Sequence, residues 1–96
     1  MMYIKVLWIH EEDTDPVWLY SEIDEKMYEV RKVEVYADDS FGFAGAGMEF
    51  GGTMLGEVPV PDIEEIAQDP AFIPTAIMQE EFERVWEQYT NFLNNG

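Results

Sequence analysis

Residues 3–10, YIKVLWIH, set Tyr3, Lys5, Leu7 and Ile9 against Ile4, Val6, Trp8 and His10. A period of two marks a strand with one face more apolar than the other. After the acidic stretch Glu11 to Pro16, VWLYSEI (17–23) reads as a second strand, because Asp15-Pro16 favours a turn and disfavours helix just before it. The two make a hairpin with a long loop. MYEVRKVEVYA (27–37) is a third, longer strand whose alternation slips: Tyr28 and Val30 share one parity, Val33 and Val35 the other. A bulge near Arg31-Lys32, or burial of both faces, accounts for the slip. ADDS (37–40) then turns into FGFAGAG (41–47), a short glycine-rich strand that extends the meander. Thr53 to Leu55 is the candidate for a last short strand.

VPVP (58–61) is extended, since each proline pushes its predecessor toward β or polyproline geometry, and it ends the sheet. PDIEEIAQDP (61–70) fits a short helix capped by Asp62, with Glu64 and Glu65 in its first turn and Pro70 as its stop. Met78, Phe82, Val85, Trp86, Tyr89, Phe92 and Leu93 recur as one stripe of an amphipathic helix. The expected architecture is α+β: an antiparallel meander of four to five strands, then a short helix, then a C-terminal amphipathic helix packed on one face.

Ninety-six residues, 47% hydrophobic and 15% aromatic, suffice for one modest core, so residues 1–96 are expected to form a single domain. There are no cysteines, which removes disulfides, thiolate metal sites and thiol nucleophiles. MMYIKVLWIH lacks the basic flank, long apolar stretch and cleavage site of a signal peptide, and no stretch approaches the roughly 18 apolar residues of a spanning helix. A cytoplasmic, bacterial setting is the default expectation.

Charge changes the picture most. Against 21 Asp and Glu stand 5 Lys and Arg, a formal net charge of -16. Three Trp, five Tyr and six Phe argue that the chain folds despite this self-repulsion. Residues 1–32 hold eight acids and four bases, whereas residues 33–96 hold thirteen acids and Arg84 alone. Surface scaling gives about one net negative charge per 350 Å². Over the width of such a domain, that is comparable to the phosphate count of duplex DNA, with one charge per about 1.7 Å of axis. Such a surface repels nucleic acid, phosphorylated metabolites and anionic membranes, and speeds association with a basic protein.

Chemistry-bearing patterns are sparse. Gly51-Gly52 and Gly45-to-Gly47 match no phosphate-binding loop, and the glycines read as turns requiring positive φ. His10 and Glu12 share one side of an extended segment, and Glu11, Asp13 and Asp15 imitate half of a calcium loop. Pro16 stands where that loop continues, however, and its glycine and distal glutamate are missing. A nucleophile triad would require Ser21 or Ser40 to find His10, the only imidazole, with no flanking elbow motif. No metal, cofactor or catalytic role is expected. Trp8, Trp18, Trp86 and the phenylalanines read as core, apart from Phe43, Met48 and Phe50, which are candidate exposed anchors on a glycine-rich loop.

Taken together, YIKVLWIH, PVWLYSEID, YEVRKVEVYADDSFGFA, GGTMLGEVPVPDIEEIA and EEFERVW resemble a family of small bacterial single-domain proteins of unknown function. The resemblance implies a single α+β domain and carries over no site residue. In that family the last helix tends to begin with Thr before an Arg-Glu-Glu-Phe run, a natural capping box; here Met78-Gln79 stands there, so a start near Pro74-Thr75 is expected.

The expected function is that of an acidic inhibitor that occupies the nucleic-acid site of a basic partner by DNA mimicry. Two settings fit, a phage anti-CRISPR-type inhibitor or a nuclease-toxin immunity protein. The alternative is a non-catalytic accessory domain with a merely solubilising surface, dimeric through a free sheet edge. Candidate contacts are Glu11, Glu12, Asp13, Asp15, Asp38, Asp39, Glu49, Glu57, Glu64 and Glu65, followed by Glu80, Glu81, Glu83 and Glu87.

Overall fold

A computed structural model of the chain describes residues 1–91. It is α+β. Strands β1 (Met2–Trp8), β2 (Trp18–Ile23), β3 (Glu29–Val35), β4 (Phe41–Gly45) and β5 (Met48–Phe50) precede helix α1 (Ile63–Ala67), strand β6 (Phe72–Ala76) and helix α2 (Gln79–Thr90). All strands are antiparallel in one open sheet of order β5-β4-β3-β2-β1-β6. The meander is as the hydrophobic pattern predicts, and the sixth strand returns from α1 to pair with β1.

Strand parity sorts the side chains onto two faces. Tyr3, Val33, Val35 and Phe43 point to the face covered by α2, where they meet Phe82 and Trp86. Ile4, Val6 and Ile23 point to the other face, covered by the crossing segment 51–62 and α1 through Val60, Ile63 and Ile66. Phe43, Phe82, Ile23 and Val33 are fully buried, and each contributes about 2 kcal/mol by leaving water. Tyr3 and Phe82 meet at a tilt with 5.5 Å between ring centroids, and Phe43 meets Trp86 edge-on at 5.7 Å.

Several local expectations need correction. The bulge expected near Arg31-Lys32 is present and lies just before Arg31: Glu22 pairs with Arg31 and Ile23 with Glu29, which leaves Val30 as the extra residue. The shift turns Glu29 and Arg31, two positions of equal parity, onto opposite faces. Residues 53–55 form no strand. Thr53 is buried there, its hydroxyl donating to Glu34 at 2.8 Å. FGFAGAG is split: β4 ends at Gly45, Ala46 and Gly47 form a two-residue turn with positive φ, and β5 follows.

The sequence pattern passes over β6 because Pro74 sits at its centre. An edge strand accommodates a proline, whose missing N–H costs no ladder bond when it faces outward. Pro74 and Thr75 therefore belong to a strand. Helix α2 begins at Gln79 after Met78, which supplies no side-chain cap. Asp62 caps α1 as expected, accepting the Glu65 N–H at 2.9 Å. Phe92 and Leu93, the end of the predicted stripe, lie outside the described residues.

Candidate acidic interface

The alternating strand directions put the β1–β2 loop, the β3–β4 turn and the α1–β6 connection at one end of the sheet. The first carries Glu11, Glu12, Asp13 and Asp15, the second Asp38 and Asp39, the third Asp69. Asp13 and Asp38 line a common hollow with Ala37. The charge of Asp15 reaches Tyr36, whose hydroxyl pKa is raised by burial first and then by Glu34 and Asp15. No Lys or Arg lies in any of the three connections. Carboxylates distant in sequence thus form one acidic end.

Its geometry is held by local hydrogen bonds. The ring of His10 spans the loop: Nε2 donates to the Pro16 carbonyl at 2.7 Å, and Nδ1 accepts the Glu12 N–H at 3.1 Å. Both nitrogens are thereby engaged, and the ring packs edge-on against Trp8 at 4.7 Å. Among the described residues no group of three or more His, Asp or Glu side chains is arranged to hold a metal ion. Asp38 accepts from both the N–H and the hydroxyl of Ser40, at 3.0 and 2.6 Å, which holds its pKa below the usual carboxylate value. Asp39 adopts φ 70°, a left-handed conformation that Asp tolerates better than most residues. Ser21 is buried mid-strand and donates to Glu29 at 3.4 Å, so neither candidate hydroxyl is bonded to His10.

The other candidates lie elsewhere. Glu49 is on β5 and Glu57 on the crossing segment. Glu64 and Glu65 ride on α1. On α2, Glu81 pairs with Lys5 at 3.2 Å and Glu83 with Arg31 at 2.7 Å. These bonds serve the fold. Of the three proposed anchors, Phe43 is fully buried beneath α2 and cannot contact a partner, Met48 is half-buried, and Phe50 is exposed.

Two features were missed by sequence reasoning. Beneath α2, Tyr3, Glu22, Arg31 and Gly45 occupy one row across four strands. Glu22 takes two bonds from Arg31 and one from the Tyr3 hydroxyl. The guanidinium lies 5.0 Å from the Phe82 ring and 5.1 Å from the Trp86 ring. Arg31 lowers the Glu22 pKa against the opposing effect of burial, and the two glutamates raise that of Arg31. Burial raises the Tyr3 hydroxyl, and the hydrogen bond to Glu22 adds to this.

On the opposite face, an open cleft of about 340 Å³ lies between α1 and the sheet. Its floor is Ile4, Val6, Leu19 and Phe72, with Val60 and Ile66 as walls, and Glu29, Glu65 and Asp69 stand along it. Glu29 is turned there by the bulge and held by Lys32 and the Gly56 N–H, at 3.2 and 2.7 Å. The pattern of β3 signals a slip near Arg31-Lys32 but not that Glu29 faces this cleft, and Asp69 reads only as the residue before a helix-stopping proline.

Among the described residues no helix is long and apolar enough to cross a membrane. An open antiparallel sheet with one long helix on one face and an acidic end defines a small α+β domain. The chain belongs to the family described as a domain of unknown function, DUF6881, whose model matches residues 2–91. No curated protein and no solved structure matches the chain.

Proposed function

We propose that this domain is an acidic binding protein that occupies the nucleic-acid-binding surface of a basic partner, such as a nuclease, by presenting carboxylates in place of phosphates. The reading covers both a phage anti-CRISPR-type inhibitor and an immunity protein against a nuclease toxin, acting in the bacterial cytoplasm. The observation that carries it is the convergence of Glu11, Glu12, Asp13, Asp15, Asp38 and Asp39 at one end of the sheet, in connections without a Lys or Arg.

Elsewhere three of the five cations are spent on the fold. Lys5, Arg31 and Lys32 are paired with Glu81, Glu22, Glu83 and Glu29. At the acidic end the field is uncompensated, which favours fast encounter with a cationic surface and rejects nucleic acid itself. Chemical catalysis is no part of the proposed role.

Affinity capture from the native host at low and at high salt tests this reading. The expected product is a basic, nucleic-acid-binding protein retained at low salt, released as salt rises and displaced by its own DNA or RNA. Capture of only neutral or acidic proteins, or retention indifferent to salt and to nucleic acid, overturns it.

A further inference from the structure

We propose that the cavity between α1 and the sheet is a binding site for a small amphipathic organic cation, a protonated amine carried on an apolar body. This goes beyond the acidic end, with which the site shares only Asp69. A volume of about 340 Å³ falls in the range of small-molecule sites, which are mostly apolar with a few placed polar groups. The space is open to solvent, and its floor of Ile4, Val6, Leu19 and Phe72 offers the water resting on it almost no hydrogen-bond partners. An apolar ligand body that displaces such water gains free energy.

The polar groups select the sign of the charge. Glu29, Glu65 and Asp69 stand along an apolar wall, and of these Glu29 alone has a cationic partner, Lys32. Three carboxylates less one ammonium leave a net charge of -2 beside a low-dielectric surface. An ammonium group there meets two carboxylates that no basic side chain of the described residues neutralises, whereas a carboxylate or phosphate is repelled. The size of α1 explains why the space exists: the helix has five residues, none of them buried, its backbone lies beside the edge strand β6, and only Ile63 and Ile66 reach the cluster of Ile4, Val6 and Ile23.

The test is a titration of the full-length ¹⁵N-labelled chain at constant ionic strength with 2-phenylethylammonium chloride, 2-phenylethanol and 3-phenylpropanoate, followed by amide chemical shifts. The amine is expected to give saturable shifts at Val6, Leu19, Ile66 and Phe72, with an affinity at least tenfold above that of the alcohol; the carboxylate is expected to give none. Glu65→Gln combined with Asp69→Asn should weaken the amine at least fivefold and leave the alcohol unchanged. The Asn retains an oxygen for the Ala71 N–H that Asp69 now accepts at 2.9 Å. Glu65→Gln alone, at an exposed side chain, is expected to give a smaller loss in the same direction and guards against a folding defect in the double variant. The proposal is overturned if shifts do not saturate, spread equally over the β1–β2 loop, are alike for amine and alcohol, or survive both variants unchanged.

Discussion

Glu22 and Arg31 face each other across the β2–β3 pair and are joined by two parallel bonds, Nε to Oε1 at 2.7 Å and Nη2 to Oε2 at 2.9 Å. The pair is nearly dry, with side-chain exposures of 8% and 16%. Their partners complete a polar row inside the aromatic layer under α2: Tyr3 donates to Glu22, and Glu83 receives Arg31. Removing one member strands the others. Glu22→Gln is expected to cost about 3 kcal/mol, the low end for breaking a buried pair because Arg31 keeps Glu83. Urea denaturation at neutral pH measures it.

The same pair sets a pH dependence. The folded pKa of Glu22 lies below its unfolded value, so its stabilisation is fully present above about pH 4.3 and is lost as pH falls through the folded pKa. The stability advantage of the native chain over Glu22→Gln should therefore be constant near neutrality and shrink below about pH 4. Denaturation midpoints of both proteins between pH 3 and 7 give the comparison. An advantage that grows on acidification would contradict the linkage.

Gly45 completes the row, and its missing side chain is a requirement. A Cβ there would lie 2.7 Å from Arg31 Cγ and 2.6 Å from the Val30 carbonyl oxygen, at φ +122°. Gly47, two residues on at φ +79°, has open space around it. Gly45→Ala should cost about 3 kcal/mol or more, and Gly47→Ala about 1 kcal/mol, the conformational term alone. Thermal unfolding of the two variants separates steric from conformational cost.

Both sheet edges are poor templates for self-pairing. β5 has three residues, and β6 carries Pro74 at its centre. The domain is expected to be monomeric by light scattering at tens of micromolar, although Ile73, which α2 does not reach, is half exposed on β6.

How far the sequence goes is seen at particular residues. The meander follows from its alternation and turn residues, and in any meander the first and third connections share an end, so the meeting of Asp13 with Asp38 was implicit in YIKVLWIH and ADDS. The slip in β3 points to a bulge near Arg31-Lys32, or to burial of both faces, and pairing with Glu22 and Ile23 fixes a bulge at Val30. That one residue decides that Glu29 faces the cavity and Arg31 the aromatic layer. The glycine-rich neighbours of Phe43 mimic an exposed loop, while strand parity drives it under Trp86. FIPTA carries no strand signal, because a central proline disqualifies an interior strand though not an edge. The roles of Glu81 and Glu83 depend on where α2 lies over Lys5 and Arg31, a tertiary relation with no local signal.

The central claim, that the acidic end of the sheet is the binding surface, is tested most directly by association kinetics with the captured partner. The variant Asp13→Asn, Asp15→Asn, Asp38→Asn, Asp39→Asn removes charge while Asn preserves the Asp38 cap on Ser40 and suits the left-handed Asp39. Its control, Glu80→Gln with Glu87→Gln, removes charge from α2. The account predicts an association rate lowered at least tenfold, with a shallower salt dependence, for the first variant and little change for the second. Equal rates for the native chain and the first variant, or an equal loss in both variants, would contradict it.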